Sequence, residues 1–111
     1  MKRIVLAAAV AALALVTALP AAAATPTFQG TVGPGFTITM SKKPTKAGKI
    51  KLVVSDKSSI HNFRLKGPGV NVATSVAAVG SKTFTVTLKK GKYTFVCDPH
   101  ASSMKGSFTI K

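Results

Sequence analysis

Between Thr83 and Cys97 the chain reads TFTVTLKKGKYTFVC, with apolar and polar side chains alternating on both sides of a short lysine-glycine break. Only an extended strand puts every second side chain on one face, so the pattern predicts two half-buried strands and excludes an amphipathic helix. Phe84, Val86 and Leu88 share one face of the first strand; Tyr93, Phe95 and Cys97 share one face of the second. The same period recurs along the chain. FTITM groups Phe36, Ile38 and Met40, and KIKLVV follows a basic turn at residues 41–48. IHNFRLKG sets His61, Phe63 and Leu65 against Asn62, Arg64 and Lys66, and GSFTI closes the chain with Phe108 and Ile110. KKGK at 89–92 predicts a hairpin turn, and GPG at 33–35 and 67–69 predicts loops that redirect the chain. No stretch after residue 24 has a helical apolar period. Short strands at this spacing predict an all-β domain, either an antiparallel sandwich or a small barrel.

Ahead of the strands, Lys2 and Arg3 precede an apolar run from Ile4 to Leu19, a Pro20 break and the small residues Ala21–Ala24. This is the layout of a secretory signal peptide cleaved after Ala24. A retained membrane anchor is the competing reading, because the run falls just short of the roughly 20 residues that span a bilayer. Removing residues 1–24 from the 111 leaves 87, enough for one domain with one core over residues 25–111. Small exported domains often depend on disulfides, but Cys97 is the only cysteine. Stability must therefore come from packing, sheet pairing or a bound metal. Lys2 and Arg3 account for two of the formal +14, so residues 25–111 carry about +12 against two acids, Asp56 and Asp98. That charge favours acidic partners or an anionic cell surface. Spread lysines, few aromatic residues and export argue against nucleic acid.

The chemistry gathers in CDPHASSM, residues 97–104. Cys97 ends a strand, Asp98 and Pro99 turn the chain, and His100 and Met104 are free to curl back around the same point. His61, on the core-facing parity of another strand, supplies a fourth donor. Two imidazoles, a thiolate and a thioether suit copper in an electron-transfer site, with two histidines and cysteine in a trigonal set and methionine as a weak axial ligand. Structural zinc more often takes paired cysteines in a closed tetrahedral shell. A cysteine-histidine hydrolase would need an orienting third group and a substrate cleft, and short strands offer neither. Asp98 falls on the opposite parity from Cys97 and is expected in a surface turn.

CDPHASSMKGSFTI resembles the C-terminal ligand loop of the cupredoxins, the small blue copper proteins that include plastocyanin and azurin. The upstream HNF resembles the family's first histidine, commonly followed by asparagine. The spacing from Cys97 to His100 is similar to that of plastocyanin-like members, whereas His100 to Met104 and the following KG are more similar to azurin. The resemblance implies a Greek-key β-sandwich with copper near one end, His61, Cys97 and His100 as equatorial ligands and Met104 as the axial one. It also implies that Asn62 ties the His61 strand to the Cys97 loop, while Pro99 stiffens that loop beside His100. The expected protein is an exported, periplasmic or surface-held monomer that carries single electrons, or alternatively one that stores or delivers copper. Pro99, Ala101 and the Gly33–Gly35 turn are expected to form a docking patch around His100, with Lys42, Lys43, Lys46, Lys49 and Lys51 steering an acidic redox partner.

Overall fold

The computed structural model describes residues 24–111, so the expected leader lies outside the described residues except for Ala24. The strands are β1 (Thr27–Val32), β2 (Ile38–Met40), β3 (Gly48–Asp56), β4 (Arg64–Gly67), β5 (Val70–Ala73), β6 (Gly80–Leu88), β7 (Gly91–Val96) and β8 (Lys105–Ile110). One 3-10 turn, Asp98–His100, is the only helical piece among the described residues. Two four-stranded sheets form, in the orders β2-β1-β3-β6 and β5-β4-β7-β8. They face each other as a Greek-key β-sandwich. Among the described residues no helix is long and apolar enough to cross a membrane.

Alternation dictates which faces meet. β3 buries Ile50, Leu52 and Val54, and β7 buries Tyr93 and Phe95, while the side chains between them remain accessible. Stacked rings line the inner face of the second sheet: Phe63 on Phe95 with centroids 5.7 Å apart, and Tyr93 on Phe108 at 5.3 Å, and Phe63 reaches across to Gly30 of β1. Aromatic rings bury the largest apolar areas in such a core, which matters in a domain without a disulfide.

Three expectations are corrected. KKGK does not make a hairpin, because β6 pairs with β3 in one sheet and β7 pairs with β4 and β8 in the other. The turn instead carries the chain across the sandwich. Gly91 takes φ +137°, a conformation that side-chain-bearing residues avoid, and the Tyr93 hydroxyl braces the corner. That hydroxyl accepts a bond from the Lys89 backbone N–H (2.9 Å) and donates one to the Pro68 carbonyl (2.8 Å). The sandwich is also not wholly antiparallel. β1 runs parallel to β3, from Thr27 beside Lys51 to Val32 beside Asp56. The cause is topological: β2 returns antiparallel on the outer edge of β1, and the connector 41–47 then crosses to the other side of β1 before β3 begins. Third, Phe36 lies outside β2 and is 63% exposed, away from the face that Met40 and Ile38 turn toward the core.

The parallel register fixes two ends of the molecule. Val32, Asp56, Arg64 and Val96 mark one end, and Thr27, Gly48, Leu88 and Gly91 the other. Tyr93→Phe removes both bonds at the corner while keeping the ring, and should lower the unfolding free energy by about 1–3 kcal/mol in a denaturant titration. An unchanged midpoint would show that the ring alone sets this corner.

Candidate metal centre

At the first end, the strands deliver His61 and Cys97 from chain positions 36 residues apart. Cys97 follows directly on β7, on the same face as Tyr93 and Phe95, and is fully buried. His61 arrives differently. β4 begins only at Arg64, and His61, Asn62 and Phe63 are consecutive buried residues, so strand alternation does not govern them. Asn62 therefore does not lie on a polar face. Its placement is paid for by a full set of polar contacts.

The Asn62 backbone N–H donates to Cys97 Sγ at 3.5 Å. Its side-chain carbonyl accepts the Asp98 backbone N–H at 2.7 Å, and its amide donates to the Thr74 carbonyl at 3.2 Å and to Asp98 Oδ2 at 2.7 Å. Buried amides are stable only when satisfied in this way. Thr74 continues the network: its hydroxyl accepts the Phe63 N–H (2.8 Å), and its own N–H donates to the Phe63 carbonyl (3.0 Å). Asp98 is held from outside by Arg64, whose Nε donates to Oδ1 at 2.9 Å. The hydrogen bond from the Arg64 guanidinium, opposed by burial and helped by the Asn62 amide, holds the Asp98 carboxyl below the usual carboxylate range. A lowered folded-state pKa means that this contribution is present above the ordinary carboxylate pKa and is lost as pH falls through the lowered value.

The loop after Cys97 is closed by its own backbone. The His100 N–H donates to the Cys97 carbonyl (3.0 Å), the Met104 N–H to the His100 carbonyl (2.8 Å), and the Cys97 N–H to the Met104 carbonyl (3.0 Å). Pro99 lies within the 3-10 turn and needs no N–H there. This folding brings three donors together. Cys97 Sγ lies 3.7 Å from His61 Nδ1 and 3.5 Å from His100 Nδ1, and the two nitrogens are 3.1 Å apart. The point in their plane equidistant from all three is about 2 Å from each, the length of a metal–imidazole bond (~2.0–2.1 Å) and a little short of a metal–thiolate bond (~2.3 Å). The donor set of two imidazoles and a thiol fits a single copper ion. Met104 is buried, and its backbone is bonded to both Cys97 and His100.

Access to the centre is uneven. His61 is fully buried and its Nε2 has no hydrogen-bond partner, whereas His100 is partly exposed. Phe36 stands edge-on to both imidazoles, with centroids 5.1 Å from His61 and 5.0 Å from His100. Gly33, at φ +74°, lets the loop before Phe36 approach His61, where an added Cβ would lie 3.3 Å from Cδ2. Pattern reasoning missed this role of Phe36 because FTITM continues its alternation without a break. The GPG immediately before it was the available signal that the strand had not yet begun. Thr74 also went unnoticed, since nothing in VATSV marks it as a partner of Asn62.

The comparisons agree with this geometry. The cupredoxin-like domain model matches residues 5–110. The chain belongs to the cupredoxin family. Reduced rusticyanin superposes on this cupredoxin with a TM-score of 0.61 and 24% identity, over 81% of each chain. Reduced auracyanin from Roseiflexus castenholzii gives 0.55 and 21%, over 80% of this chain and 99% of its own. No curated protein sequence matches. At these identities the structures show a shared fold. The family and the His-Cys-His cluster together point to a blue copper protein.

Asn62→Ala should lower stability by about 2–4 kcal/mol, because the Asp98 N–H and the Thr74 carbonyl lose their partner together. Chemical denaturation with and without copper measures the loss, and a variant as stable as the parent would remove Asn62 from the joint.

Proposed function

We propose that this cupredoxin is an exported one-electron carrier working between larger redox partners. The observation that carries the reading is a donor triangle sized for one ion, sealed on the His61 side and reached from outside only along His100. Bound copper would supply a one-electron change between Cu(I) and Cu(II), and two imidazoles, a thiolate and a weak thioether serve both states with little rearrangement. His61, Cys97 and His100 would hold it, with Met104 as a fourth, weaker donor.

The chain's part is to keep those donors still. Asn62 fixes the spacing between the two contributing segments, and its N–H donates to Cys97 Sγ. Phe36 keeps bulk water from the imidazole edges. His100 gives the route to the surface, where Pro34, Pro99 and Ala101 are exposed alongside Phe36 and Ile60. A partner would meet an apolar rim around a single polar edge. An acidic redox protein suits the overall charge. Both histidines and the one cysteine of the chain are used in the centre, which leaves no spare imidazole or thiol for acid-base or nucleophilic catalysis. The leader pattern at residues 1–24 supports export to the periplasm or the outer face of the cell.

Adding Cu(II) to residues 25–111 should produce an intense visible thiolate-to-copper band, and Cys97→Ser should abolish it. A colourless protein, or a band that survives the substitution, overturns the site assignment. Cyclic voltammetry should then show reversible one-electron behaviour with copper retained. Release of copper on reduction would instead indicate storage or delivery.

A further inference from the structure

The lysines expected to steer a partner toward His100 lie elsewhere. Lys42, Lys43, Lys46 and Lys49 line a depression of about 440 Å³ together with Pro26 and Phe28, at the start of β1. Lys51 sits beside Thr27 at the same end, and Lys43 leans over the Phe95 ring on the flank. The register makes that the end remote from the metal centre, because Val32, at the other end of β1, leads into the Gly33 that touches His61.

The same end collects further charge. Gly48 pairs with Leu88, so the turn carrying Lys89 and Lys90, with Lys92 at the start of β7, adjoins the start of β3. Gly91 pairs with Ile110, and the Lys111 N–H donates to the Thr45 carbonyl (3.4 Å), which brings the last residue to the connector. These lysines are exposed. No acid offsets them there, because Asp56 and Asp98, the chain's two acids, both lie at the metal end. The large apolar side chains left exposed, Phe36 (63%), Ile60 (51%) and Val79 (65%), are at the metal end as well. One end is cationic, and the other is apolar and nearly neutral.

We infer that the cationic end is a docking surface for a phospholipid bilayer containing anionic lipid, holding the metal end outward. The arrangement of the lysines selects a bilayer over a soluble acidic protein. They come from both sheets, on the connector 41–47, the start of β3, the corner after β6, the start of β7 and Lys111, so charge is spread across the whole end of the sandwich. Lysines near an anionic leaflet add attraction that salt screens within a Debye length. Docking of this kind does not depend on the copper reading, since no metal donor takes part.

The test is co-sedimentation of residues 25–111, which include every strand, with vesicles of phosphatidylcholine alone or mixed with phosphatidylglycerol. Binding should require phosphatidylglycerol, fall with added salt, and be equal for apo and copper-loaded protein. The combined Lys46→Gln, Lys49→Gln, Lys89→Gln and Lys90→Gln variant should bind at least about tenfold more weakly. A control of equal net-charge loss per site, Lys57→Gln with Lys105→Gln at the metal end, should bind nearly as the parent does. Failure to bind phosphatidylglycerol vesicles overturns the proposal, as does an equal per-lysine loss in both variants, which would mean net charge without a docking face. Tighter binding to a soluble polyanion than to vesicles of matched charge also overturns it, in favour of an acidic polymer. For the copper-loaded protein, reduction by a bulky reagent confined to the aqueous phase should be unaffected by vesicles; strong protection would place the metal end against the lipid and refute the orientation.

Discussion

The donor triangle depends on one amide. Asn62 stands next to His61 in sequence and bonds the backbone of Asp98, which stands next to Cys97. Without such a link, two segments from separate parts of the chain would have to hold a spacing of 3–4 Å through packing alone. Packing fixes shape but resists small shears weakly, whereas a buried amide with both ends satisfied has a narrow range of acceptable positions. Arg64 extends the restraint by holding Asp98 from the solvent side. Part of the centre's rigidity is therefore set outside the donors, in residues that never approach a metal.

The strands whose alternation is longest were the most legible in sequence. β3, β6, β7 and β8 each bury one parity of side chains because they face a core on one side and solvent on the other. β1 and β5 were not foreseen: TFQGTV carries Gln29 and Gly30 at its centre, and VNVA is four residues following a turn. The KKGK turn shows the limit of local reading. A tight turn and a sandwich-crossing corner can share a lysine-glycine sequence, and the choice depends on what Tyr93 finds at Pro68, in the turn of the neighbouring strand β4.

The site was more legible than the topology around it, for a chemical reason. Cysteine, histidine and methionine within eight residues leave few bland explanations, and the loop that joins them is closed by its own backbone bonds. What the sequence could not convey was position in space. Phe36 followed the strand pattern yet lies over the imidazoles, and the lysines nearest one another in sequence gather at the end farthest from them. Charge and apolar surface are thus segregated along the strand direction, an arrangement that becomes visible only when the parallel pairing of β1 with β3 is known.

The separation of His61 from Cys97 along the chain has a consequence for the life of the protein before it is folded. The triangle comes into being only when β4 has paired with β7, since Arg64 opposite Val96 is the rung nearest to it. Until then the chain offers a solitary thiol with one nearby imidazole, open to oxidants and to any thiophilic ion. A completed centre is consequently a certificate of maturation: it distinguishes a chain whose second sheet has closed from one still exposed to chemical damage.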